Sequence, residues 1–365
     1  MAEREIIFVD ANTIWHRRLA EAFGRIRPTI AFEPSAGLLP GLVGTDVRAG
    51  QTTFMSVKLV RGWASKTAFY GQRQLAARIV RAAHDLGFSP VVVLTSPKYR
   101  LLARLLSPRF PLVYYCADDY REYEGWGGLR IAEAESEIVR SVQLSVFVSN
   151  ALRQRAVKEY AVPEDRTFTS PNATEPRFLA CAPTADPGGI LPQLKRPVVG
   201  MLGALTERLD LPLIRRVADL ETVGTLLIAG HVDESLRSRN DWIFDNPKIL
   251  ATGRLPHAAM HRYALALDAA LIPYTRKALN HFCSPMRLYD HLASGIPIFA
   301  TDACDQINRL NIDGLVVAPT SELPGIASDV LRNLAAGRRR KPAEMPEGLL
   351  WSDRAARLAT AIDGL

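Results

Sequence analysis

Cysteine is scarce. The 365-residue chain holds four, Cys116, Cys181, Cys283 and Cys304, far apart and with no C-x-x-C pair. That spacing builds neither a zinc site nor a disulfide framework, so a reducing, cytoplasmic setting is expected. Long apolar runs are missing too: no stretch approaches the roughly 18 residues that a membrane span needs. The charged opening Met-Ala-Glu-Arg-Glu runs into Ile6-Ile7-Phe8-Val9, which reads as a first strand and not as a secretory leader. Without a leader, the sequon Asn172-Ala173-Thr174 is read as chance. His257 and His261 stand one helical turn apart, but no third ligand and no H-E-x-x-H pattern joins them, so no metal and no other cofactor is expected. Recognition-helix, RNP and zinc-finger patterns are absent as well, and nucleic acid is not an expected partner.

What remains is globular. Hydrophobic residues make up 48% of the chain and 365 residues suffice for two ordinary domains. The formal charge of +7 favours anionic partners such as nucleotides or an acidic membrane surface. The run Arg338-Arg339-Arg340-Lys341 lies between Gly337 and Pro342 and reads as an exposed connector.

Short apolar runs alternate with amphipathic stretches in both halves. The first half reads as strands over 5–9, 90–94, 112–116, 144–148 and 167–170, with helices over 72–86, 99–106, 130–142 and 151–160, the last capped by Ser149-Asn150. The second half restarts with strands over 197–202, 225–229, 249–252, 269–272 and 296–300, and helices over 211–219, 257–265 and 286–293. Runs apolar throughout are strands buried on both faces, as in parallel sheets. The expected fold is therefore α/β with two Rossmann-like, doubly wound domains, 1–175 and 195–345, joined by a Pro-, Ala- and Gly-rich connector around 176–197. An amphipathic stretch over about 350–365 closes the chain. In such sheets ligands bind beyond the carboxyl ends of strands, so candidate residues should follow strands, facing a cleft between the domains.

The richest segment is Ser284-Pro285-Met286-Arg287-Leu288-Tyr289-Asp290-His291-Leu292-Ala293-Ser294-Gly295-Ile296-Pro297-Ile298. It reads as a loop, a helix, a glycine stop and a buried strand. A helix N-terminus offers free N–H groups to a phosphate, Arg287 adds a permanent cation, and Asp290 can accept from sugar hydroxyls. The order resembles the S-P-x-K-x-x-E-x-L-A-x-G-x-P segment of GT-B glycosyltransferases, with Arg for Lys and Asp for Glu. Other loops follow strands in that family's order: Gly200 to Asp210, with Met201, Gly203 and Arg208; Gly230-His231; Gly253-Arg254-Leu255; and Pro273-Tyr274. The resemblance covers about 195–300 and is to bacterial exopolysaccharide and teichuronic-acid enzymes, including xanthan-type glucuronosyltransferases. It implies a GT-B fold, a nucleotide-sugar donor (UDP-sugar favoured) over 200–295, a saccharide or lipid-linked acceptor on domain 1–175, and a helix over about 350–365 that crosses back to join that first domain. One departure stands out. The first acid of the family-4 E-x7-E pattern would fall at Phe282, which leaves inversion or retention open.

In the first half, Leu112-Val113-Tyr114-Tyr115-Cys116 runs into Ala117-Asp118-Asp119-Tyr120. A carboxylate at that strand end could deprotonate an acceptor hydroxyl, with Asp118 the first candidate and Asp119 the second; either could instead cap the turn. Trp126 is a candidate sugar platform or packing. Glu133, Glu135 and Glu137 read as a solvated helix face with one inward exception. The segment 98–109 carries four cations beside a Tyr99/Leu102/Leu106 stripe, which suggests peripheral contact with an anionic membrane face. A GT-B-like sugar-nucleotide epimerase and a basic nucleic-acid-binding protein are the alternatives.

Overall fold

The computed structural model describes residues 4–37, 41–42, 47–49, 51–179, 191–334 and 347–365. Cys181, the Arg338–Lys341 run and most of the connector lie outside the described residues. The chain divides into two compact units, Met1–Asn172 with Trp351–Leu365, and Ala173–Leu350.

In unit 1 the strands are β1 (Ile6–Phe8), β2 (Thr29–Gly37), β3 (Gly41–Leu42), β4 (Val47–Ala49), β5 (Thr52–Val60), β6 (Val91–Leu94), β7 (Leu112–Cys116), β8 (Leu144–Phe147) and β9 (Thr167–Thr169). Among the described residues they run β3-β5-β2-β1-β6-β7-β8-β9, with β4 also on β5. All pairings are parallel except those of β3 and β4 with β5. Every residue of β1, β6, β7 and β8 is buried, because helices cover both faces of a parallel sheet. Ser149 caps the helix Asn150–Tyr160 by accepting from the Leu152 N–H at 3.2 Å. The helix Trp351–Asp363 belongs to this unit and packs on the helix Ile14–Phe23.

Unit 2 has the strands β10 (Val198–Leu202), β11 (Thr225–Ala229), β12 (Ile249–Ala251), β13 (Ala269–Ile272), β14 (Ile298–Thr301) and β15 (Leu315–Ala318). They form one parallel sheet in the order β12-β11-β10-β13-β14-β15. Its core includes Phe178, which the sequence places in the connector but which is fully buried here. Gly295 stops the helix Met286–Ser294 in the left-handed region at φ 69°, and β14 begins two residues later than the sequence suggests, past Pro297.

Candidate functional site

Each sheet reverses its strand order once: between β1 and β6 in unit 1, and between β10 and β13 in unit 2. Loops diverge to opposite faces there and leave a crevice at the carboxyl ends. In unit 2 the loop after β10 begins with Gly203, at φ 91°. A Cβ on it would stand 3.2 Å from the Arg287 guanidinium. Gly203 donates to Ala229 O at 2.9 Å, and Leu205 donates to His231 O at 2.9 Å. Gly230 is needed where these loops touch, since a Cβ would meet Gly203 O at 2.2 Å. After β13, Pro273 O accepts from Asp210 N at 2.7 Å, and the buried Tyr274 forms a bridge with Leu209.

Two further expected donor residues converge on that ring. The Arg208 and Arg287 guanidiniums each lie 5.6 Å from the Tyr274 centroid. Arg208 is aimed by Asn280, whose Oδ1 accepts from its Nε at 2.8 Å. Asn280 in turn donates to Arg208 O and Thr275 O, at 2.9 and 2.8 Å. Arg287 Nη2 donates to Ala204 O at 3.3 Å, while its Nη1 is buried with no hydrogen-bond partner among the described residues. A buried donor on a cation without an acceptor is costly, and an anionic oxygen at that point would satisfy it. The helix Met286–Ser294 starts at Pro285 with no side-chain cap, so its first N–H groups face the same end. Ser284, just before it, pairs with the Tyr289 hydroxyl at 3.2 Å.

Other expected donor residues sit elsewhere. Met201 is a core side chain of β10, 1% exposed, so only its backbone borders the loop; strand alternation turns it inward. Gly253, Arg254 and Leu255 follow β12, the edge strand two places from β10, and no hydrogen bond or ion pair among the described residues ties them to Arg287. Asp290 differs most from expectation. It is buried and accepts from Thr174 Oγ1 at 2.5 Å, so it ties the helix to the segment beginning unit 2 rather than standing open to a ribose. Burial pushes its carboxyl up to about 7, against the opposing hydrogen bond from Thr174.

In unit 1 the two acceptor-side candidates separate. Asp119 is fully buried, accepts from Arg121 N at 3.2 Å and pairs with Arg155 and Arg121. Capping and ion pairing occupy it, the alternative that the sequence leaves open for either aspartate. Asp118, 8% exposed, accepts from Asp119 N and from the Tyr123 hydroxyl, both at 2.9 Å. Trp126 is no open platform: it stacks flat on Tyr120, and the Lys98 ammonium stands 3.1 Å from its centroid. Glu135 is the inward exception, held by the Tyr114 and Tyr160 hydroxyls at 2.7 and 3.0 Å. Sequence reasoning missed Asn280, which orients Arg208 from a short helix rather than from a strand end.

No protein-family model matches the chain. A curated relative, assigned by name as the teichuronic acid biosynthesis glycosyltransferase TuaH of Bacillus subtilis (strain 168), is 21% identical over 216 residues, 57% of this chain. The chain spans about half the length of that relative, 54%. Among solved structures, HepE of Anabaena in complex with UDP and glucose superposes with a TM-score of 0.69 at 14% identity, over 99% of this chain and 100% of that one. An α,α-trehalose-phosphate synthase (UDP-forming) from Burkholderia vietnamiensis gives 0.68 at 11%, covering both chains fully. The sucrose-phosphate synthase of Thermosynechococcus elongatus gives 0.65 at 14%, over 98% and 94%. The fold is GT-B.

Both parallel sheets of the GT-B fold are thus present, as the ordered loops of 195–300 imply. Within it, the unit 2 switch point carries the uncapped helix start, the close-approach glycines and the two guanidiniums.

Proposed function

We propose that the chain is a glycosyltransferase, moving a sugar from a UDP-sugar held by unit 2 to a hydroxyl of a saccharide or lipid-linked acceptor in polysaccharide or glycoconjugate biosynthesis. The observation that carries this reading is the Arg287 guanidinium at the unit 2 switch point, its Nη2 against Gly203 and its Nη1 buried with no hydrogen-bond partner among the described residues. The relatives support it: HepE structures hold UDP and UDP-glucose, and the curated relative bears a glycosyltransferase name. In this reading Arg287 and the Met286–Ser294 N-terminus take the diphosphate, and Arg208 adds a second cation. Charge developing on the leaving diphosphate is met by two guanidiniums and helix N–H groups, so the reaction needs no metal. Asp118 is the acceptor-side carboxylate of this reading. Titration calorimetry with UDP tests the assignment: Arg287→Ala should bind ten- to a hundredfold more weakly, since charged hydrogen bonds contribute about 1.5–3 kcal/mol. Unchanged affinity in that variant would remove it.

The proposal extends to peripheral contact with an anionic membrane face. The 98–109 segment is a poorer anchor than its sequence suggests, because Arg100 and Arg104 both pair with Glu137, at 3.2 and 2.6 Å. The helix Ala68–Asp85 fits better. Phe69 and Tyr70 are 53% and 66% exposed, Arg73 stacks on Phe69 at 4.3 Å, and a groove of about 750 Å³ lined by Arg73, Arg109, an Arg81–Asp85 ion pair, His84 and apolar side chains follows along the helix. Among the described residues, no helix is long and apolar enough to cross a membrane.

A further inference from the structure

Unit 1 has a switch point of its own, and the proposed reaction so far uses little of it. Three strand ends meet there: β1 leads into Val9-Asp10-Ala11-Asn12, β6 into Thr95-Ser96-Pro97-Lys98-Tyr99, and β7 into Ala117-Asp118-Asp119-Tyr120. Asp10 follows the central strand and is partly exposed. Its Oδ2 accepts from the Tyr99 hydroxyl at 2.7 Å, and its Oδ1 from Asn12 N at 3.0 Å. The Thr95 hydroxyl donates to its backbone carbonyl at 3.3 Å. No Lys, Arg or His among the described residues forms an ion pair with it.

Those partners are neutral. They fix both oxygens of Asp10 without neutralising its charge, and each oxygen has lone-pair capacity for a further donor. Asp119, by contrast, is sealed in an ion pair, and Asp118 is nearly buried. The loop after β6 also carries Lys98, half-buried, its ammonium over the Trp126 ring and in no ion pair among the described residues. Trp126 is braced by Tyr120, whose hydroxyl donates to Thr95 O at 2.9 Å and so belongs to the same corner of the sheet. A partly exposed, pre-oriented carboxylate at one strand end and an ammonium on the loop after the neighbouring strand suit a ligand rich in hydroxyl groups. The carboxylate takes O–H donors, and the ammonium gives N–H to oxygen.

We infer that Asp10 is an acceptor-binding residue of unit 1, its carboxylate accepting a hydrogen bond from a hydroxyl of a sugar acceptor while Lys98 donates to a second oxygen of that sugar. The inference rests on the glycosyltransferase reading and makes Asp10 a binding group, not the proton acceptor of the transfer. Asp10→Asn isolates the charge, because the amide oxygen can still accept from Asn12 N and the amide nitrogen can donate to the Tyr99 hydroxyl oxygen.

The full chain is assayed with UDP-glucose and a panel of p-nitrophenyl hexosides, with UDP affinity and melting temperature measured in parallel. Asp10→Asn should raise the acceptor KM ten- to a hundredfold, with kcat changed far less and UDP affinity within twofold of wild type. Lys98→Met should raise the same KM by about tenfold, and Tyr99→Phe by a few-fold, through a less fixed carboxylate. An acceptor KM within twofold of wild type in Asp10→Asn would overturn the inference. So would a parallel loss of melting temperature and UDP affinity, since Asp10 would then be structural. A wild type that binds UDP but neither glycosylates any hexoside nor gives a saturation-transfer NMR signal with one would overturn the acceptor site and leave the donor site standing. A wild type that fails to bind UDP at all would remove the glycosyltransferase reading, and this inference with it.

Discussion

Asp119 and Asp118 are neighbours in sequence with opposite settings, and variants should separate them. Replacing Asp119 by Asn leaves Arg155, 5% exposed at its side chain, without its carboxylate. Breaking a buried pair by removing one partner costs about 3–5 kcal/mol, and Glu135, 3.9 Å from Arg155, recovers only part of that. Urea unfolding of Asp119→Asn should therefore show a loss of about 3 kcal/mol. Asp118→Asn keeps an acceptor for Tyr123 and Asp119 N, so its stability should stay within about 1 kcal/mol of wild type. Its turnover should fall by a factor of about 10²–10⁴ if Asp118 is the general base. Normal turnover in that variant would place the base elsewhere. Asp290 gives a pH signature. Its carboxyl is raised to about 7 by burial, so between about pH 4 and 7 the unfolded chain ionises this group while the folded chain keeps its proton. Stability from this group is thus present below about pH 4, falls as pH rises to about 7, and is flat beyond. Asp290→Asn keeps an acceptor for Thr174 and removes the titration, so the variant should gain on wild type steadily across that window in denaturant melts. At this scale the sequence carried Arg287, Arg208, Gly203 and Tyr274, because each follows a strand or opens a helix. It could not carry Asp290's partner, since Thr174 lies 116 residues away.

At the scale of elements, the central strands were legible because burial on both faces leaves an unbroken apolar run. β7, β11 and β13 occur at the expected bounds. The stretch 13–66 was not legible. β2 and β5 pair along nine residues each, yet β2 contains Glu33 and Pro34 and β5 alternates buried with half-buried positions near the sheet edge. Such strands are specified by their partner more than by their own composition. β15 escaped notice for the same reason, as a half-buried edge strand of four residues. The closing helix shows how a local amphipathic pattern acquires a tertiary anchor. The guanidinium of Arg27, 3% exposed at its side chain, donates twice to Asp363 at 2.8 Å. That bond holds the Asp363 carboxyl below its ordinary range, so its contribution is present above about pH 4 and is lost as pH falls through the folded value. Asp363→Asn should cost about 1–2 kcal/mol at pH 7, discounted for the partial exposure of Asp363, and much less near pH 3. Equal loss at both pH values would deny the ion pair its role.

For the whole molecule, charge and exposed apolar groups act together. A net charge of +7 draws the chain to any anionic surface, and that attraction fades once the screening length drops to a few ångströms in high salt. Two exposed aromatics on the Ala68–Asp85 helix add an interfacial component that salt does not screen. The two components are separable by flotation with phosphatidylglycerol-containing and neutral vesicles. Wild type should bind anionic vesicles at low salt and retain a residue of binding at about 0.5 M, where the screening length is near 4 Å. Phe69→Ser with Tyr70→Ser should abolish the high-salt residue while leaving most low-salt binding. Arg73→Glu with Arg109→Glu should weaken low-salt binding by roughly 1 kcal/mol per removed cation or more, since each change also adds a repelling charge. UDP affinity should be unchanged in both variants, because every side chain altered belongs to unit 1 and the Arg287 site is built from unit 2. No binding of wild type at low salt, or wild-type behaviour from both double variants, would show that the Ala68–Asp85 face is not a membrane surface, and equal binding to neutral vesicles would remove its preference for an anionic one.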